Sequence, residues 1–142
     1  MDDDLLATAN ALRAATGALR RRVRDDGYAA LTPGEVAILS RLDRGGPATT
    51  ATLARLEGIT PQALGATAAG LVARGLVLKT ADPDDRRRAL LTTSPEGVRV
   101  LREARDAVVV RIAAALGEHF SAEQVAVIRA AAPLVERLAH VL

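Results

Sequence analysis

The sequence contains no cysteine, which excludes disulfide bonds, thiolate metal sites and cysteine-based redox switches. Histidine is nearly as scarce, since His119 and His140 are too few for a histidine metal cluster. Aromatic residues make up 1% of the chain, which disfavours a base-stacking platform for RNA or single-stranded DNA. We therefore expect no metal ion and no cofactor.

Catalytic and membrane signals are missing as well. The sequence shows no Gly-rich phosphate loop, no histidine-containing triad and no metal-ligand spacing, so we predict that the protein is not an enzyme. No uncharged apolar run reaches the ~20 residues that a membrane-spanning helix needs. The acidic start Met1-Asp2-Asp3-Asp4 differs from the basic start of a secretory signal peptide. We expect a cytoplasmic protein with no membrane partner.

Start and stop signals divide the 142 residues, which fit one domain, into a series of helices. Apolar residues spaced by three and four predict a first helix from about Leu5 to Arg24, ended by Asp25-Asp26-Gly27. Thr32-Pro33 together with Glu35 forms a capping box that opens a second helix.

Two further helices are separated by very few residues. One begins at Thr49 or Thr50, and the next is capped by Thr60 and ends before Gly75. Only a few residues around Gly58 join them, which is the spacing of a helix-turn-helix.

A predicted β-hairpin follows within residues 76–97. Two short runs rich in Val, Leu and Thr flank a charged loop, and Asp82 with Pro83 suits the first two positions of a turn. The loop carries three aspartates and then three arginines, and Ser94-Pro95-Glu96 is typical of an N-cap and first helical turn. This order predicts a mainly α fold with a small β-wing, the winged helix-turn-helix.

Two long helices complete the chain. The first begins at Pro95 and is closed by Gly117, and the second opens with a capping box of Ser121 and Gln124. Pro133 lies inside the second helix, where we predict a kink because the apolar phase continues past it.

The terminal helices predict a dimer. A winged lobe of residues 31–97 already has its own core, so the apolar stripes of residues 1–26 and 98–142 need another partner. The same segments of a second copy are the economical partner, and they would form a two-fold dimer. The alternative is that they pack only on their own domain.

The charged loop has two interpretations. Arginine suits the narrow minor groove of DNA, and Asp85 is near enough in sequence to orient Arg87, while Arg86 and Arg88 would face the flanking phosphates. The other interpretation is a solvated turn in which the aspartates neutralise the arginines. The preceding helix-turn-helix favours double-stranded DNA as the partner.

The hairpin motif resembles that of the MarR (multiple antibiotic resistance regulator) family. The resemblance lies in Asp82-Pro83-Asp84-Asp85-Arg86-Arg87, in Leu91-Thr92-Thr93-Ser94-Pro95-Glu96-Gly97 and in Arg74-Gly75-Leu76-Val77, with Leu53-Ala54 and Ile59-Thr60 matching the helix-turn-helix frame. Thr93 and Ser94 replace the second Leu and the Thr of the usual motif.

The resemblance implies specific roles. The second arginine of the motif, here Arg87, would enter the minor groove with Asp85 bracing it. It also implies a homodimer joined through the terminal helices, and a pseudo-palindromic operator. A ligand-responsive repressor of this kind would take a small hydrophobic or aromatic effector, bound between the dimer helices and the DNA-binding lobe.

The predicted recognition helix departs from the family pattern. Gln62 can pair with adenine, and Thr60 and Thr67 can contact DNA, but alanine and glycine fill the other expected contact positions. We therefore expect DNA affinity to depend mainly on the hairpin. The alternative function is a winged-helix dimer with little sequence readout that acts through protein-protein contacts.

Overall fold

The computed structural model describes residues 2–25 and 30–142. The chain is mainly helical with a small antiparallel sheet, which confirms the predicted fold class. Two units make up the chain, Met1–Ala107 and Val108–Leu142, and the boundary between them falls within the fifth helix. The elements are α1 (Asp3–Asp25), α2 (Pro33–Gly45), β1 (Ala48–Thr49), α3 (Thr50–Glu57), α4 (Pro61–Ala73), β2 (Val77–Ala81), β3 (Ala89–Thr93), α5 (Pro95–His119) and α6 (Ala122–Val141).

The helices begin where side chains can satisfy the free backbone amides of a first turn. Thr32 accepts a hydrogen bond from the amide of Glu35 at 3.2 Å, and the Thr32 amide donates to Glu35 Oε2 at 2.8 Å. Ser121 and Gln124 form the same reciprocal pair at the start of α6. Both predicted capping boxes are therefore confirmed, and the cap of α4 at Thr60 is confirmed as well.

Two predicted helix ends had different outcomes. Gly58 ends α3 in the left-handed conformation, with φ 66°, which glycine adopts without steric cost. The predicted end of α5 at Gly117 was wrong, because the helix continues to His119. One internal glycine costs a helix only about 1 kcal/mol relative to alanine, so the backbone tolerates it.

Other predicted boundaries fall as follows. α1 ends at Asp25, and Asp26 and Gly27 of its predicted terminator lie outside the described residues. α6 continues through Pro133, as predicted from the apolar phase. Within the described residues no helix is long and apolar enough to cross a membrane.

The sheet has the strand order β1-β3-β2, and both pairings are antiparallel. The predicted hairpin consists of β2 and β3, paired from Val77 opposite Thr93 to Ala81 opposite Ala89. The third strand, β1, was not predicted, because two residues are too few to show an alternating pattern. It pairs Ala48 with Leu91 and so connects the start of the helix-turn-helix to the hairpin.

One apolar core holds α2, α3, α4, the sheet and the start of α5 together. Leu39, Leu64 and Leu71 are fully buried in it. Leu101 and Ala104 of α5 are buried in the same cluster, so the core extends past the predicted lobe boundary at residue 97. By contrast, neither α1 nor α6 buries any described side chain.

The start of α5 lies directly against the backbone that precedes β2. The Ser94 hydroxyl donates to the Gly75 carbonyl at 2.6 Å and accepts from the Gly97 amide at 3.0 Å. The Ser94 amide donates to the Leu76 carbonyl at 3.0 Å. A Cβ atom at Gly97 would lie 2.0 Å from the Leu76 carbonyl oxygen, so this position has no room for a side chain.

We predict that Gly97→Ala lowers the free energy of unfolding by about 1–3 kcal/mol, because the helix must move away from the Leu76 carbonyl. The matched control is Gly70→Ala, because a Cβ at Gly70 of α4 meets no atom within 4 Å. The control should raise stability by about 0.5–1 kcal/mol. Urea unfolding of both variants measures the difference, and equal effects of the two substitutions would contradict the close contact.

Candidate nucleic-acid interface

The helix-turn-helix presents α4 as a surface of small side chains. Gln62 is exposed in its first turn and is the only long polar side chain of the helix. The other exposed positions between Ala63 and Gly70 are alanine or glycine. These residues offer no side-chain hydrogen-bond donor or acceptor to a base edge. The exposed face of α4 is therefore as poor in base-reading groups as its composition predicted.

The two threonine candidates have different surroundings. Thr60 is exposed, and its hydroxyl oxygen accepts from the Ala63 amide at 3.1 Å as the N-cap of α4. Thr67 is half-buried, and its hydroxyl donates to the Ala63 carbonyl at 3.3 Å. The Thr67 methyl group lies 3.9 Å from where a Cβ of Gly34 would stand, so Thr67 faces α2.

Arg74 fixes the end of α4 to the start of α2. Its Nη1 lies 3.0 Å from Glu35 Oε1, and its Nη2 donates to the Ala30 carbonyl at 2.9 Å. Glu35 thus serves both the capping box of α2 and an ion pair with α4. The sequence identified Arg74 only as part of a motif, because no local pattern pairs two residues that are 39 positions apart.

A second ion pair links α2 to α3. Arg41 Nε donates to Glu57 Oε1 at 2.6 Å, and Arg41 Nη2 donates to the Leu56 carbonyl at 3.4 Å. Together with Arg74 and Glu35, this contact orients both helices of the helix-turn-helix against α2. The orientation of α4 therefore depends on polar contacts as well as on the apolar core.

The wing tip is the seven-residue loop between β2 and β3, residues 82–88. Its hydrogen-bonded turn is closed by the Arg88 amide, which donates to the Asp85 carbonyl at 2.9 Å. The turn thus lies three residues later than the one predicted at Asp82-Pro83. Asp82 instead bends the loop through its side chain, because its Oδ1 accepts from the Asp84 amide at 2.9 Å.

The three arginines of the wing tip have different environments. The side chain of Arg87 is 96% exposed, with its Nε 3.9 Å from Asp85 Oδ1, while the Arg87 amide donates to the same oxygen at 3.0 Å. Arg86 is exposed and forms no ion pair with any residue that the structure describes. Both guanidinium groups therefore project into solvent from the tip.

Arg88 points back towards the hairpin. Its Nη2 lies 3.4 Å from Asp82 Oδ2, and its Nε lies 3.7 Å from Asp85 Oδ2. Asp82 was not among the predicted site residues, and its side chain is only 9% exposed. Its position in a run of charged residues gave no sign that it would be buried, because burial here depends on how the loop folds over the hairpin.

Comparison with known proteins adds independent observations. Residues 31–88, which span α2 to the wing tip, match the model of the MarR family. A crystal structure from Pseudomonas aeruginosa, described as a transcriptional regulator protein, is similar over 99% of this chain and 98% of its own, with 28% sequence identity and a TM-score of 0.82. The family-model match over residues 31–88 and this structural similarity together support a MarR-family winged-helix regulator.

Two structures of a cysteine-to-serine variant of Escherichia coli MarR share the fold of this chain. One covers 89% of this chain and 94% of its own, at 18% identity and a TM-score of 0.72. The other, complexed with operator DNA, covers 94% and 96%, at 17% identity and a TM-score of 0.60. No curated protein sequence matches the chain significantly.

We predict that Arg74→Ala lowers the free energy of unfolding by about 1–2 kcal/mol, because it removes an ion pair and a hydrogen bond to a carbonyl. Arg44→Ala is the control, since Arg44 is an exposed arginine in α2 with no ion pair among the described residues, and should change stability by less than about 0.5 kcal/mol. Equal unfolding midpoints in urea for the two variants would show that the Arg74 contact contributes nothing.

Proposed function

We propose that this protein is a dimeric, sequence-specific DNA-binding repressor that acts at a pseudo-palindromic operator and is released by a small ligand. The observation that carries the proposal is the wing tip. A hairpin that follows a helix-turn-helix projects the guanidinium groups of Arg86 and Arg87 into solvent. Guanidinium groups bind phosphates and enter narrow minor grooves, and the structure gives these two no strong acidic partner.

In the proposed complex α4 lies in the major groove and the wing reaches the adjacent minor groove. Gln62 contacts a base edge, and the first turn of α4 with Thr60 meets a backbone phosphate. Arg87 enters the minor groove, Asp85 holds the Arg87 backbone amide, and Arg86 contacts a flanking phosphate. Thr67 stays outside the proposed interface, because it faces α2. Two such lobes about 34 Å apart would meet successive major grooves.

The proposed dimer is supported by apolar surface in both units. α1 exposes Leu5, Leu6 and Leu19, and α6 exposes Val127, Ile128, Leu134 and Leu138 among other apolar side chains. Apolar patches of this extent on a helix mark an interaction surface, since scattered single residues would need no partner. A second copy of the same chain is the partner that the family resemblance implies.

The proposed effector has one supporting feature, which lies within the winged lobe and not between that lobe and the dimer helices, where the resemblance implies the pocket. A groove of about 300 Å³ lies between α4 and the sheet, lined mainly by small and apolar residues, with Lys79 as its single charged group. Its composition suits a small hydrophobic or aromatic acid. A ligand bound in this groove would favour one distance between α4 and the wing. If that distance does not match the major and minor grooves of DNA, the ligand would release the protein from DNA.

The exposed face of α4 favours a second candidate function. Alanine and glycine at Ala63, Ala66, Ala69 and Gly70 leave Gln62 as the single long polar side chain for reading bases. A winged-helix dimer with this surface could act through protein-protein contacts instead. Such a protein would bind all duplex DNA equally or not at all.

A mobility-shift titration separates the two functions. The probes are the duplex upstream of the protein's own gene and a scrambled duplex of equal length, each at two salt concentrations. Tighter, salt-sensitive binding to the upstream duplex is expected, because neutralised phosphates release counterions. Equal binding to both probes would contradict sequence-specific regulation and favour the second function.

We predict that Arg87→Ala weakens binding to the upstream duplex by about 1–3 kcal/mol, because the exposed guanidinium supplies a groove contact. Arg137→Ala in α6 is the matched control, because it removes the same charge from the other unit. The control should leave binding nearly unchanged. Unaltered affinity of Arg87→Ala would remove the wing from the proposed mechanism.

We predict that the protein sediments as a dimer at micromolar concentration and that Leu138→Glu shifts it towards the monomer, because a buried charge would oppose the apolar contact. Arg137→Glu places the same charge on the neighbouring residue and should leave the dimer intact. Sedimentation velocity measures both. A monomeric wild-type protein would contradict the proposed dimer.

A further inference from the structure

We propose that Arg88 does not contact DNA and is instead a positioning residue of the wing. Arg88, Asp82 and Asp85 together form what we call the ionic clamp. The clamp closes the loop and directs Arg86 and Arg87 outwards. The role in DNA binding rests on the proposed function above. The clamp itself is a property of the free protein and can be tested without DNA.

The hydrogen bonds of the loop support the clamp. The Asp82 amide donates to the Arg88 carbonyl at 3.0 Å, which joins the two ends of the loop. Each aspartate of the clamp also accepts a loop amide, Asp82 from Asp84 and Asp85 from Arg87. The guanidinium of Arg88, whose side chain is 57% exposed, lies within ion-pair distance of both carboxylates, at 3.4 Å from Asp82 and 3.7 Å from Asp85. One side chain thus bridges the two acids that shape the tip.

The burial of the Asp82 side chain makes its ion pair with Arg88 hard to replace. The Asp82 side chain is 9% exposed, and a carboxylate removed from water needs a cationic or hydrogen-bonding partner. If Arg88 turned outwards to a phosphate, Asp82 would keep its loop amide but lose its only ion pair among the described residues. Arg87 forms no ion pair with a buried carboxylate of the described residues, because its guanidinium is almost fully exposed and its contact is to the half-buried Asp85 at 3.9 Å.

The clamp and a direct contact of Arg88 with DNA predict opposite effects of Asp82→Asn on the affinity for DNA. If the wing acts only through its charge, the loss of one negative charge should tighten DNA binding. If the clamp positions the wing, the same substitution should weaken binding, because Arg88 loses its partner and the tip loses its fixed shape. Asp84→Asn is the matched control, since Asp84 is exposed and forms no ion pair with any described residue.

The first experiment measures amide hydrogen exchange of the free protein by NMR. Asp82→Asn and Arg88→Ala should each speed exchange of the Asp84, Arg87 and Arg88 amides by about tenfold, because these amides are held by the clamp or within its turn. Arg86→Ala should leave the rates unchanged. Unchanged amide exchange rates in Arg88→Ala would overturn the clamp, independently of any result on DNA binding.

The second experiment measures binding of a short mixed-sequence duplex by fluorescence anisotropy over a series of salt concentrations. Arg88→Ala should weaken binding about three- to tenfold with an unchanged salt slope, whereas Arg86→Ala should lower the slope by about one. Arg88→Lys should restore part of the affinity. Adding Asp82→Asn to Arg88→Ala should cause no further loss, because both substitutions break the same contact.

Two results would overturn the positioning role. One is a lower salt slope for Arg88→Ala, equal to that of Arg86→Ala, which would place Arg88 on a phosphate. The other is tighter binding of Asp82→Asn, equal to that of Asp84→Asn. If the wild-type protein binds no duplex, the proposed function and the role of the clamp in it both fail, and amide exchange still decides whether the clamp exists.

Discussion

The contact between the start of α5 and the Leu76 backbone is the constraint on which the winged lobe depends. The Ser94 hydroxyl forms hydrogen bonds to Gly75 on one side of the contact and to Gly97 on the other. Gly97, which has no side chain, leaves the space that the Leu76 carbonyl occupies. The two strands of the wing begin and end at this place, at Val77 and Thr93. The helix therefore sets the base of the hairpin, and the base determines where the tip points. A side chain at position 97 would therefore require α5 to move relative to the base of the hairpin.

The wing and α4 divide the proposed recognition of DNA unequally. α4 is held in place by the core and by Arg74, yet its exposed face carries little besides Gln62 that could read a base. The wing tip carries the exposed arginines, and buried or half-buried carboxylates shape its backbone. In the proposed complex the affinity comes from charge and shape, and the sequence-dependent width of the minor groove adds selectivity.

Much of the fold could be predicted because its signals are local. The capping boxes at Thr32 and Ser121, and the glycine that ends α3, depend on residues within a few positions of each other. The same is true of the hairpin, whose two strands are separated by one short loop. The predicted end of α5 at Gly117 was wrong, because one glycine does not end a helix whose other residues favour the helical conformation.

The sequence by itself determined the order of the elements, the absence of cysteine chemistry and the presence of arginines at a hairpin tip. Only the tertiary structure decided which of those arginines lies beside a buried carboxylate. From the sequence, Arg86 and Arg88 have the same predicted role beside flanking phosphates, but Asp82 is buried beside Arg88 alone among the three arginines. A carboxylate is buried when the whole loop folds over it, and its partner is then selected by distance. Periodicity and motif spacing contain no information about that distance.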